Sequence, residues 1–63
     1  MEVTKVKQYG WNQIVPNTII YNEFNYYGTL YLEYIIYDEK NLIKIATYSG
    51  TVYCVENCPL TAQ

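Results

Sequence analysis

A chain of 63 residues, 51% apolar and 16% charged, rules out a multidomain protein, a disordered one and an apolar membrane-spanning run. A net charge of −2, with four lysines, no arginine and no histidine, leaves little to neutralise phosphates, so nucleic acid is not an expected partner. Six carboxylates scattered from Glu2 to Glu56 are too few to imitate a nucleic acid.

Helical periodicity is weak, β-branched and aromatic residues dominate, and short turn signals recur. The expectation is an all-β fold: one domain over residues 1–63, a small antiparallel sheet or barrel of four to five strands. Glu2 to Tyr9 reads as a partly exposed first strand ended by Gly10, followed by a loop with Pro16 and Asn17. Thr18 to Phe24 is the second strand, Asn25 to Gly28 a four-residue turn, and Thr29 to Tyr37 the third strand. Its period of two places Leu30, Leu32, Tyr34 and Ile36 on the core face, with Thr29, Tyr31, Glu33, Ile35 and Tyr37 opposite. Through the four-residue turn Ile19 and Tyr21 join the core face, and a turn one residue longer or shorter would exchange the faces of a whole strand. Asp38 to Asn41 turns into a fourth strand, Leu42 to Tyr48. Ser49 and Gly50 fit a two-residue hairpin, because glycine supplies the positive φ such turns need. The fifth strand, Thr51 to Val55, stops before Pro59, which has no amide hydrogen for a ladder.

A chain of this size buries only about 60% of the surface its unfolded form exposes, so a disulfide, a metal or self-association is the usual supplement. Cys54 and Cys58, in the run CVENC, would lie about 13 Å apart if extended, beyond disulfide reach; a bend at Glu56 and Asn57 would close the gap. Free thiols, a disulfide and a metal site completed elsewhere all remain open, and free thiols fit a reducing cytoplasm best. The cytoplasm, a host cell's if the chain is viral, is the expected compartment, since no secretory signal is visible. No catalytic residue, metal or cofactor is expected. Histidine is missing, the one serine, Ser49, has no base, the three glycines stand far apart, and Asp38 with Glu39 is the lone adjacent carboxylate pair.

Nine tyrosines remain, six of them between Tyr21 and Asp38. Tyrosine suits strands, and Tyr34, Tyr48 and Tyr53 are expected to serve the sheet itself. A core this small cannot also enclose the other phenols beside seven isoleucines. Exposed tyrosines give rigid contact area at low entropic cost. Tyr26, Tyr27, Tyr31 and Tyr37 are therefore the expected partner-binding residues, with Glu33, Asp38 and Glu39 as an acidic rim.

The stretch YDEKNLIKIATYSGTVYCVENCP, Tyr37 to Pro59, resembles the KTSC domain through Tyr37, Asp38, Ile43, Ile45, Gly50, Tyr53 and Pro59. That resemblance implies a small β module, sometimes attached to a lysyl-tRNA synthetase, and carries over no catalytic residue. In size and acidity the chain also looks like the host-defence inhibitors of phages and mobile elements, anti-CRISPR proteins among them. The expectation drawn from the exposed tyrosines is a non-enzymatic protein-binding module that inhibits by steric occlusion. A KTSC-like module associated with nucleic acid and a structural homo-oligomer are the alternatives. A protein partner is expected, self-association competes for the same surface, and a membrane is not involved.

Overall fold

Residues 1–58 are described by a computed structural model; Pro59, expected to end the last strand, lies outside the described residues. The strands are β1 (Glu2–Gly10), β2 (Thr18–Glu23), β3 (Tyr26–Asp38), β4 (Ile43–Thr51) and β5 (Tyr53–Cys54). They form one antiparallel sheet in the order β1-β4-β3-β2, with β5 also paired to β3. The all-β, four-to-five-stranded architecture follows from residues whose branched and aromatic side chains fit a pleated surface.

The sheet curls into a half-barrel, and its concave side holds the core. Tyr21, Tyr26, Leu30, Ala46, Tyr48 and Val52 are buried there, with Val3, Tyr9, Val15, Ile19, Leu32 and Ile35 packed around them. Ile19 pairs with Leu30 and Tyr21 with Gly28, so β2 presents its expected face although the turn differs. The turn is two residues, Phe24 and Asn25, both at positive φ, instead of four. Shortening by two preserves the alternation where shortening by one would have inverted it.

Two expectations about β3 and β4 are overturned. Between Leu32 and Tyr34 the pairing with β4 slips by one residue, so Glu33 is the extra residue of a β-bulge. Beyond it Ile35, opposite Ala46, joins the core, while Tyr34 and Ile36, expected inside, are exposed. Ser49 and Gly50 form no hairpin. Ser49 pairs with Thr4 on one side and Tyr31 on the other, and Gly50 does not take a positive φ. The chain runs straight on, so β5 continues the line of β4 along β3: Tyr31 faces Ser49 and Tyr27 faces Tyr53 in one unbroken register. What Gly50 supplies is room. A Cβ there would sit 2.5 Å from the Thr29 carbonyl oxygen, and one at Gly28 would sit 2.6 Å from that of Thr51. Both glycines let the sheet bend tightly over Leu30 and Val52.

The segment between β1 and β2 lies over the concave side, where Val15 packs against the core and the Asn17 carbonyl accepts from the Leu32 amide at 2.8 Å. The Tyr48 hydroxyl donates to the Pro16 carbonyl at 2.7 Å, and the Lys44 amine donates to that of Gln13 at 2.8 Å. Since Tyr48 has one hydroxyl hydrogen and gives it to Pro16, the 3.3 Å contact with Tyr9 has Tyr9 as donor. No buried side-chain nitrogen or oxygen among the described residues lacks a partner. The body measures 43 × 18 × 15 Å, and its radius of gyration of 13.7 Å exceeds the roughly 11 Å of a compact domain of this length. An elongated, incompletely closed sheet has two faces and one core, which leaves the convex face to solvent.

Candidate docking face

Alternation along β3 sends Tyr27, Thr29 and Tyr31 to the convex face, and the bulge at Glu33 adds Tyr34 and Ile36 to the same column. Across the sheet Tyr53 of β5 lies opposite Tyr27, Ile20 of β2 opposite Thr29, and Val6 of β1 opposite Thr47. Tyr27 is 49% exposed, Tyr31 59%, Tyr34 57% and Tyr53 70%; Ile20, Ile36 and Val6 are exposed as well. These are too many large side chains on one face to be scattered surface residues, and a contiguous exposed apolar surface marks an interaction site. Within it Tyr27, Tyr31 and Tyr53 border a groove of about 540 Å³ floored by Gly28, Thr29, Gly50 and Thr51. Gly28 and Gly50 contribute backbone to the floor, their missing side chains being on the core side opposite Tyr21 and Val3.

The residues expected to bind a partner do not form a single surface. Tyr27 and Tyr31 share the convex groove, and Glu33 is exposed at the bulge beyond it. Tyr26, expected outside, is 7% exposed because the two-residue turn starts β3 earlier and alternation points it into the core. Tyr37 falls on the other side of the sheet, in register with Lys44, its ring edge-on to Trp11 at 6.1 Å. Asp38 and Glu39 sit at the far hairpin. There the Asp38 carboxylate accepts from the Asn41 side-chain amide at 2.9 Å and from the Asn41 backbone at 3.2 Å. These hydrogen bonds, the side-chain one foremost, hold its pKa below the ordinary aspartate range. Asp38 thus shapes a turn and stands away from the groove.

Tyr34 and Tyr53 belong to the convex face although tyrosine's strand propensity alone had placed them in service of the sheet. The missed signal for Tyr53 is register: once Ser49 and Gly50 are read as strand, Tyr53 follows Thr51 on the outer side. For Tyr34 it is the bulge, which no single-residue preference announces.

Charge is divided between the two faces. Lys5 is opposite Tyr48, Lys7 opposite Ala46 and Lys44 opposite Tyr9, so all three share the concave side with the core positions, and Lys40 lies in the hairpin turn. The charged side chains that the strands place on the convex face are carboxylates, while the Met1 ammonium donates to the Val52 carbonyl at 3.0 Å, next to Thr51. Glu2 is opposite Thr51, whose hydroxyl donates to its carboxylate. Both cysteines are joined as a disulfide, Cα to Cα 5.7 Å, which corrects the expectation of free thiols; the bend at Glu56 and Asn57, with Asn57 at positive φ, closes the gap. Among the described residues no three His, Cys, Asp or Glu side chains converge as a metal site. No helix among them is long and apolar enough to cross a membrane.

In comparisons with known proteins, no family model, no curated protein and no solved structure matches the chain.

Proposed function

We propose that the protein is a non-enzymatic docking module whose convex tyrosine face covers part of a larger protein. The observation that carries this is the continuous exposed set Tyr27, Tyr31, Tyr34 and Tyr53 on one face of a sheet whose core lies on the other. Tyrosine anchors bury large area with few rotamers to fix, which is why they recur in binding hot spots. A rigid body without histidine or a base-activated nucleophile acts on a partner by occupying space, so its effect is occlusion of whatever the partner uses that surface for.

The test is retention of partner proteins from the native host by three immobilised forms: the parent chain, Tyr31→Ala/Tyr53→Ala, and Tyr37→Ala. A partner held by the parent and by Tyr37→Ala but lost with the double variant supports docking through the convex face. Loss with Tyr37→Ala alone moves the interface to the Trp11 side and defeats the proposal.

A further inference from the structure

The groove between Tyr27, Tyr31 and Tyr53 has a chemical character of its own. Three electron-rich rings border it, Thr29 and Thr51 add hydroxyl acceptors, and Glu2 is hydrogen-bonded to Thr51 of its floor. No lysine shares the convex face. The chain's cation–π contact, Lys5 over the Tyr21 ring at 5.6 Å, is on the concave side. Nor do the groove's rings stack on one another: the aromatic pair among the described residues is Trp11 with Tyr37. The space between the three phenols is therefore open and acceptor-rich and holds no lysine; the nearest positive charge, the Met1 ammonium, is already engaged by the Val52 carbonyl at 3.0 Å.

Building on the docking role, we propose that this groove receives an arginine side chain of the partner protein. A cation is drawn to aromatic faces by the ring quadrupole. A guanidinium is flat, weakly hydrated and able to stack, with five hydrogens for the phenol, threonine and carboxylate oxygens. A lysine ammonium is a compact, strongly hydrated point charge that stacks poorly, so the groove discriminates against it. From Tyr27 to Tyr31 the strand rises about 13 Å, enough for an arginine with flanking backbone laid across the sheet. A second copy of this chain does not fit the role. It has no arginine, its lysines lie away from the convex face, and two convex faces brought together would oppose carboxylate to carboxylate.

The experiment titrates the full chain with three capped peptides identical except for a central arginine, lysine or glutamine, following the tyrosine ring protons by NMR. Tyr31→Leu, Glu2→Gln and Tyr37→Leu are titrated alongside, each first checked for the parent fold by amide spectra. The expected result is saturable shifts at Tyr27, Tyr31 and Tyr53 with the arginine peptide. It should bind about fivefold more tightly than the lysine peptide, with no saturation by glutamine and two- to fivefold weakening by Tyr31→Leu and by Glu2→Gln. Tyr37→Leu should titrate like the parent. Equal binding of lysine and arginine, shifts centred on Tyr37, or indifference to both groove variants would overturn the proposal. Concentration-dependent dimerisation abolished by Tyr31→Leu would also overturn it, since the groove would then belong to a second copy. If the host partner is lost with Tyr31→Ala/Tyr53→Ala yet the arginine peptide does not bind, the arginine site fails and docking stands.

Discussion

Lys5 Nζ lies 2.7 Å from Glu23 Oε2, joining β1 and β2, the two strands that close neither side of the sheet by pairing. The half-barrel's edges thus meet through an ion pair, with the Lys5 amine also over the Tyr21 ring. Both side chains are more than a third exposed, so the pair is screened and contributes little on its own. Its hydrogen bond to Glu23 raises the Lys5 pKa above 10.5. A raised amine pKa means a contribution fully present below the ordinary value and lost as pH rises through the raised one. Lys5→Met, which keeps the stem over Tyr21, should lower stability slightly in dilute buffer and not at all in molar salt, measured by urea unfolding.

Lys5 and Lys7 have a second consequence. Charges pointing inward from an edge strand discourage a neighbouring chain from adding to it. Lys5→Val/Lys7→Val should increase concentration-dependent association relative to the parent in light scattering, whereas Lys40→Val, in the hairpin turn, should not.

Tyr48 is the best-satisfied phenol, fully buried, donating to Pro16 and accepting from Tyr9. Burial, the largest cause, pushes its pKa up to about 12 from 10.0. Because the neutral phenol is the form the fold favours, that stabilisation is whole below pH 10 and disappears as pH rises toward 12. Tyr48→Phe should cost about 1–3 kcal/mol at neutral pH, by stranding the Pro16 carbonyl. It should also flatten the alkaline loss of stability seen in the parent.

Gly50 and Gly28 should be intolerant for a reason unrelated to turns. Ala at either puts a Cβ against backbone, the carbonyl of Thr29 or of Thr51, and backbone cannot swing aside as a side chain can. Each substitution should cost about 1–3 kcal/mol or prevent folding. Gly10→Ala should be mild, since its nearest neighbour is the flexible Gln13 side chain at 3.3 Å. Thermal unfolding of the three variants side by side tests the contrast.

The class of fold was legible because strand preference is dense and uniform along this chain. Face assignment survived at β2 through parity: Ile19 and Tyr21 stay inside whether the turn has two residues or four. Parity failed beyond Glu33, because a bulge is set by how two strands curve together and not by the residue that happens to be extra. Gly50 misled for a related reason. Glycine marks either a turn or a close backbone approach, and only the neighbouring strand, here Thr29 and Leu30 of β3, tells which. Two of the groove's three rings, Tyr27 and Tyr31, followed from counting phenols. Tyr53, its third ring, depended on that one glycine.

Phe24 holds φ 54° in the turn while its ring is exposed. A bulky residue in the left-handed region costs on the order of 1–2 kcal/mol, and an exposed ring offers little in return. Two-residue hairpin turns with both residues at positive φ favour asparagine and glycine. Phe24→Asn should therefore raise the unfolding midpoint. Unchanged stability would mean that the Phe24 ring contributes contacts equal to its backbone strain.

The disulfide fastens the short strand that carries Tyr53. β5 has only two residues, and its hold on β3 is extended by Val55, whose amide donates to the Asn25 carbonyl at 2.8 Å, and by the Asn25 side-chain amide, 3.4 Å from the Asn57 carbonyl. Cys54 and Cys58 close the intervening bend and press it against the β2–β3 turn. For a loop of five residues the chain-entropy contribution is about 2 kcal/mol, too little to decide whether the half-barrel folds but enough to decide whether its end frays. Reduction, or Cys54→Ser/Cys58→Ser, should speed hydrogen exchange at Val55 while amides of β1 and β4 around Tyr48 keep their protection. It should also weaken any ligand of the Tyr27–Tyr31–Tyr53 groove, because one wall of that groove is then free to leave. Loss of protection throughout the sheet on reduction would show instead that the bridge holds the core. The groove would in that case have no independent response to thiol.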